Sequence, residues 1–219
     1  MRFFSFILVY FLICGVSRAQ EREMWPAVDR AIEKAISEGE TPGAVLLVSR
    51  RGKIIYHRAY GEKRAGEKLD LDALFDAASL TKPLVTALAV LMLAQDGKVD
   101  LDAPITEYLS LKTTEEPTVR QLLTHHGGLP PGVPVEGFPE NLDTVEFQSE
   151  PGLEFVYSDV GFLWLGKVVE KQSGMALDEF FRRRIAEPLE LSDSGFKPNS
   201  SKAVPTYGVD SGVVHDPRA

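Results

Sequence analysis

The chain predicts an α/β fold, an antiparallel sheet flanked by helices and joined to a helical subdomain. Three observations carry that prediction. Two strand-like runs, Gly43 to Ser49 and Lys53 to Tyr60, are separated by Arg51-Gly52 and read as a hairpin. A helical pattern precedes them from Trp25 to Glu38, with Val28, Ile32, Ala35 and Ile36 at helical spacing and Gly39 as its stop. Two long apolar helices, Ser79 to Gln95 and Val160 to Ser173, then fill the middle of the chain. A lone hairpin is marginal in water and needs more strands or a covering helix. No later strands are evident in these 219 residues, so the expectation is a sheet whose C-terminal strands are missing.

The remaining elements follow in order. The charged stretch Glu62 to Asp72 reads as a loop. The Ser79 to Gln95 helix is apolar on nearly every side, which implies burial, and Asp96-Gly97-Lys98 ends it. Asp102-Ala103-Pro104 opens a short element, and Thr118 is placed to cap a helix reaching Thr124. His125 to Glu150 is rich in Gly and Pro, and loops of this length are often functional. Leu177 to Ala186 reads as a helix whose Arg182-Arg183-Arg184 run forms a solvated face, with a docking patch as the other reading. From Ser192 the chain is turn-rich, with at most a short strand at Val213-Val214.

The first 19 residues are expected to leave the fold. Met1-Arg2 is basic, Phe3 to Val16 is apolar, and Ser17 and Ala19 sit where a secretory signal peptide is cut. Cleavage after Ala19 removes Cys14, the only cysteine, so no internal disulfide follows. It also removes Arg2 and Arg18 and no acid, moving the formal charge from −8 to −10. That balance argues against nucleic acid as a partner. The expected location is periplasmic or secreted. Contact with a membrane is expected only through the uncut leader, since nothing later is read as apolar enough to cross one. Residues 20–219 form one incomplete domain in this reading: 20–78 an α/β part with the hairpin, 79–200 mainly helical, and 201–219 a tail.

Two short patterns carry chemistry. Ser79-Leu80-Thr81-Lys82 opens an apolar helix, which puts Lys82 on the same face as Ser79 and within reach of it. Pro83 fits the first turn, where its missing N–H has no intrahelical partner to lose. The helix N-terminus favours an oxyanion forming at Ser79. The same letters also suit an ordinary N-cap with a solvated lysine. A second Ser-x-x-Lys, Ser194 to Lys197, has no helix to hold it and reads as a turn. Of the six tyrosines, only Tyr157 is followed two residues later by Asn or Asp. It lies where a loop meets an apolar helix, so its phenol suits a cleft. The bland alternative is a half-buried packing residue, with Ser158 or Asp159 capping the helix.

With these residues the chain resembles the serine β-lactamase and penicillin-binding DD-peptidase superfamily, nearest its class C β-lactamase-related branch that includes carboxylesterases. The resemblance runs from about Trp25 onward. It covers Phe75-Asp76-Ala77-Ala78-Ser79-Leu80-Thr81-Lys82, Gln121-Leu122-Leu123-Thr124-His125 with Gly128-Leu129-Pro130, Tyr157-Ser158-Asp159-Val160-Gly161, Glu187-Pro188-Leu189 and the stretch around Thr206-Tyr207-Gly208. It implies a β-lactamase/transpeptidase-like fold and an exported serine hydrolase working through an acyl-enzyme. Ser79 would be the nucleophile, Lys82 would help deprotonate and position it, and Tyr157 would shuttle the proton. The Ser79 amide would be one oxyanion donor. No metal and no organic cofactor is implied, and the partner would be a small acyl substrate or a peptidoglycan fragment.

Two departures matter. Asp159 stands where many β-lactamases and DD-peptidases carry Asn, and its charge would raise the Lys82 pKa by roughly 1–3 units. That moves the base role toward Tyr157 and favours an esterase or peptidase over efficient β-lactam hydrolysis. The family's third motif, Lys-Thr-Gly or His-x-Gly on a late strand, does not follow Tyr157; His125-His126-Gly127 fits the letters but precedes it in a loop. The expected activity of the chain is therefore impaired. Two rivals remain: a non-catalytic pseudoenzyme or gene fragment that binds acyl or peptidoglycan ligands, and a periplasmic interaction module recruiting a partner strand to the hairpin edge. Asp96, Lys98, Asp100, Asp102 and Glu107 loosely copy a calcium loop, but Lys98 at a ligand position and Leu101 in place of Gly speak against it.

Overall fold

The structure is a computed structural model that describes residues 25–132, 140–197 and 201–205. The expected leader, the Thr206-Tyr207-Gly208 stretch and the strand at Val213-Val214 lie outside the described residues, as does the middle of the His125 to Glu150 loop. The chain divides into two units. Described residues 25–76 and 201–205 belong to the first, and 77–132 with 140–197 to the second.

In the first unit a helix, α1 (25–37), precedes a three-stranded antiparallel sheet of β1 Gly43–Arg50, β2 Lys53–Arg64 and β3 Glu67–Lys68, in the order β1-β2-β3. Alternation along β2 puts Tyr56, Arg58 and Tyr60 on one face. There the Tyr56 hydroxyl donates to Asp29 Oδ1, the Tyr60 hydroxyl does so at 2.5 Å, and Arg58 pairs with Asp29 Oδ2 at 2.7 Å. Trp25 stacks on Tyr56 with ring centroids 4.4 Å apart, so α1 is the covering helix that the hairpin needs.

Three expectations fail in this unit. β2 does not end at Gly61 but continues to Arg64, and the stretch expected as a loop supplies β3. Gly61 bends the strand without ending it: its φ is 69°, and a Cβ there would sit 2.3 Å from the Pro42 carbonyl oxygen. Glu62 N–H then bonds that same carbonyl at 2.9 Å. The reversal at Gly66 is tied by Lys63 to Glu67 at 2.8 Å. β1, expected as a buried strand, is half-buried, with Leu47 exposed. Residues 201–205 join this unit through a parallel bridge between Leu74 and Ala203.

The second unit is helical. The run Ala78–Gln95 changes pitch twice, from a 3₁₀ turn at Ala78–Leu80, through a π segment at Lys82–Ala87, to α2 at Leu88–Gln95. It ends in a Schellman arrangement, with Lys98 N–H bonded to Leu93 O and Gly97 N–H to Ala94 O, and Gly97 at φ 70°. The expectation of burial on nearly every side fails, because Leu80, Leu84, Leu88 and Leu91 are exposed. The run is also long and apolar enough, by length and composition alone, to cross a membrane (mean hydropathy 1.4), contrary to the sequence reading. Its inner face packs in the core of the unit nonetheless: Ala89, Val90 and Leu93 are fully buried.

α3 (Val119–Leu123) begins with the expected cap. Thr118 accepts from the Gln121 amide and the Gln121 side chain accepts from the Thr118 amide, a full capping box. α4 (Asp159–Ser173) buries Val160, Phe162, Trp164, Leu165, Val168 and Val169 against α2, α3 and α5 (Leu177–Phe181). A π turn, Arg182–Ala186, continues α5. The arginines there are each paired: Arg182 with Glu179 and Glu187, Arg183 with Glu179, and Arg184 with Asp96 at 3.0 Å. The run is thus a face of exposed ion pairs rather than of unpaired cations. Asp102, read as a calcium-loop position, is held by Arg120 at 2.6 Å.

Candidate active site

Ser79 sits in the 3₁₀ turn that starts the apolar run. Ala78 before it has φ 43°, an uncommon conformation for a residue with a Cβ. No side chain caps this helix start. Ser79 is therefore not an N-cap; its Oγ instead accepts a hydrogen bond from Lys82 Nζ at 3.3 Å. Lys82 opens the π segment, with Pro83 in the first turn as the sequence suggested. Single-turn π segments inside helices often mark functional sites.

Tyr157 and Asp159 come from some eighty residues further along the unit and flank the start of α4. Ser158 between them is buried. Its Oγ accepts the Gly161 N–H at 3.3 Å and donates to the Pro130 carbonyl at 2.6 Å. Asp159, the first residue of α4, donates its N–H to Pro131 O at 2.7 Å. Its Oδ1 lies 2.6 Å from Lys82 Nζ, which also stands 4.8 Å above the Tyr157 ring and 6.0 Å from the Phe162 ring. The four candidate residues, Ser79, Lys82, Tyr157 and Asp159, thus share one place. Ser194 and Lys197 do not join them; they lie in turns beyond α5, and Lys197 has φ 49°.

The charges respond to this crowding. Burial pulls the Lys82 ammonium toward neutrality, but the Asp159 carboxylate and the Tyr157 hydroxyl outweigh it and hold the pKa above the ordinary lysine value. The Tyr157 phenol moves the other way. Hydrogen bonding to Ser79 and then to Lys82 depresses its pKa, against burial and the Asp159 charge. The site therefore pairs a firmly protonated lysine with a phenol that ionises more readily than usual.

One residue of this site was not singled out in the sequence. His125 lies beside Tyr157 with ring centroids 4.5 Å apart, and its Nδ1 accepts the Ser158 N–H at 3.1 Å. In the sequence it figures in the Gln121 to His125 run and in His125-His126-Gly127, whose letters fit the third motif but precede Tyr157. Its distance in sequence from Tyr157 and its φ of 58° gave no local pattern to read. Among the described residues no cluster of His, Cys, Asp and Glu is placed to hold a metal ion.

Comparison with known proteins agrees with the fold. Residues 28–219 match the family model described as Beta-lactamase, and the chain belongs to this family of serine hydrolases. It is 35% identical to "Esterase EstB" of Burkholderia gladioli over 200 residues, covering 77% of this chain and 50% of the relative. It is 30% identical to a "Putative D-alanyl-D-alanine carboxypeptidase" of Escherichia coli O157:H7 over 230 residues, with 87% and 53% covered. Among solved structures, "EstCE1, a hydrolase with promiscuous acyltransferase activity" superposes with a TM-score of 0.75 at 26% identity, over 86% of this chain and 57% of that one. The architecture is thus that of the β-lactamase/transpeptidase-like fold. The chain spans about half the length of the curated relatives it matches.

Proposed function

We propose that this chain is an exported serine hydrolase that forms an acyl-enzyme on Ser79, acting on ester, amide or peptidoglycan-type bonds. The observation that carries this reading is the convergence of the Ser79 hydroxyl, the Lys82 ammonium 3.3 Å from it, and a Tyr157 phenol with a depressed pKa. In the ionised form Tyr157 takes the proton from Ser79 Oγ as Oγ bonds to the substrate carbonyl carbon. Tyr157 returns that proton to the leaving oxygen or nitrogen as the carbonyl bond to it breaks. Water then attacks the ester, its proton passing through Tyr157 to Ser79 Oγ, and the acid is released. Lys82 stays protonated beside Asp159 and stabilises the phenolate, and the Ser79 N–H supplies one oxyanion donor.

An ammonium fixed by a carboxylate is a poor base, which is why the proton is routed through Tyr157. The same feature favours ester and peptide-like substrates over β-lactams. No Lys-Thr-Gly or His-x-Gly segment follows Tyr157 in these 219 residues, so turnover by them alone is expected to be slow. The leader ending at Ala19 supports export, which a measured N-terminus at Gln20 in material recovered from cells would establish.

The test is intact mass of the purified chain before and after p-nitrophenyl acetate or a penicillin, with Ser79→Ala and Ser194→Ala alongside. An adduct lost in the first variant and kept in the second is expected. Labelling that survives Ser79→Ala overturns the nucleophile assignment. The absence of any adduct favours a protein that binds acyl ligands without turning them over.

A further inference from the structure

We infer that His125 is a positioning residue for Tyr157, holding the backbone on both sides of it with two acceptors of one residue. This rests on the reading of Tyr157 as the proton carrier. The two residues flanking Tyr157 each donate their backbone N–H to His125: Val156 to its carbonyl oxygen at 2.9 Å and Ser158 to its ring Nδ1 at 3.1 Å. Between these anchors the Tyr157 side chain has little backbone freedom. The imidazole also packs beside the phenol ring, tilted by 34°, and on its other contacts meets Phe162 at 5.0 Å and Phe155 at 5.8 Å. Phe162 belongs to α4, so the clamp is referred to a buried helix rather than to the loop alone.

The arrangement demands a particular residue. An Nδ1 that accepts from an amide carries no proton, so His125 is the neutral tautomer with its proton on Nε2. The charged and titratable groups around it are Lys82, Asp159, Tyr157 and His126. Burial and the Lys82 charge hold the imidazole neutral, against Asp159. Its backbone is left-handed at φ 58°, a conformation that His and Asn tolerate better than most residues. Holding one side chain in place is worth much in such a site, since misplacement by about 1 Å can cost on the order of 10²-fold in rate.

The chemistry of the clamp dictates its test. Asn places its side-chain oxygen where the His Nδ1 lies and accepts the left-handed backbone, so His125→Asn keeps both acceptors and loses the ring. His125→Gly keeps the backbone acceptor and loses the other. His125→Gln sets its amide one methylene too far out and serves as a second loss variant should the glycine variant not fold. The measurement is the titration of Tyr157 by NMR in protein labelled at tyrosine Cζ, with Tyr157→Phe identifying the resonance. The rate of adduct formation with p-nitrophenyl acetate is read by mass alongside it.

His125→Gly or His125→Gln should move the Tyr157 titration up toward the ordinary phenol value and slow adduct formation by about 10- to 100-fold. His125→Asn should restore both to within a few-fold. A Tyr157 titration unchanged in the loss variants overturns the positioning role. So does a folded His125→Asn as impaired as they are, because the ring and not the acceptor would then matter. Should the parent chain form no adduct while the titration shifts and is rescued by Asn, the positioning role stands and the hydrolase reading falls.

Discussion

The two apolar helices of the second unit begin in opposite ways. α4 starts on a buried Ser158 that satisfies the Gly161 amide, runs as regular α-helix, and ends at Gly174 in the left-handed region that glycine adopts without penalty. The run Ala78–Gln95 starts on a residue with a Cβ held at φ 43°, has no side-chain cap, and passes through 3₁₀ and π pitch before becoming α-helical. α4 buries most of its length, while the other run leaves four leucines exposed along one side. The nucleophile candidate sits on the irregular start, and Tyr157 precedes the regular one. What distinguishes them is where strain is carried. The capped helix serves as the reference, and the uncapped one presents a hydroxyl that no backbone amide has claimed.

The largest difference between the two helices is expected at Trp164. It is fully buried in α4, donates Nε1–H to Leu142 O at 2.8 Å and packs near Phe147. Trp164→Ala should cost about 3–5 kcal/mol from lost packing and the cavity left behind, measured by urea denaturation. Leu84→Ala on the other run, 57% exposed, should change stability by less than about 0.5 kcal/mol. Comparable losses at the two sites would mean that Leu84 is covered in solution.

A smaller break is expected at the cap. Ser158→Ala removes an N-cap and the bond to Pro130 O, and should cost about 1–2 kcal/mol by the same measurement. No corresponding loss is expected from Ser79→Ala, whose hydroxyl caps nothing. Asp159→Asn should act on rate rather than on folding. It removes the carboxylate that raises the pKa of both Lys82 and Tyr157. Acylation requires the phenolate and falls as pH drops through the Tyr157 pKa. The acid limb of a pH profile of adduct formation should therefore shift to lower pH. A limb that moves up or stays put would take the base role away from Tyr157.

Much of this was legible in the sequence because it is local. Caps, stops and hairpin turns are written within a few residues, and Thr118, Gly174 and Arg51-Gly52 fall where their residue types require. The grouping of Ser79 with Lys82 follows from i to i+3 geometry, and Tyr157-x-Asp159 could be singled out by its spacing. The pitch changes after Ala78 were not legible, since helix type depends on packing rather than on composition. β3 was missed because a charged stretch gives no apolar alternation to read. His125 was missed because its two bonds to the Tyr157 segment join residues thirty-three and thirty-one positions apart, a relation with no periodicity.

The smallest effect isolates the difference in how the helices are bounded. Gly174 and Ala78 share the left-handed region, one with no Cβ and one with. A Cβ at Gly174 would meet open space, so Gly174→Ala should cost only the backbone penalty, about 1 kcal/mol. Ala78→Gly should run the other way. It relieves that penalty but adds the chain entropy that glycine loses on folding, so the net gain is a few tenths of a kcal/mol to about 1. In a chain of this size that raises the melting temperature by no more than about 2–4 °C. Adduct formation should slow in the same variant if the left-handed turn is what aims Ser79 at Lys82, because glycine no longer confines the backbone there. A variant that is both more stable and equally fast would show that the strain before Ser79 does nothing for the site.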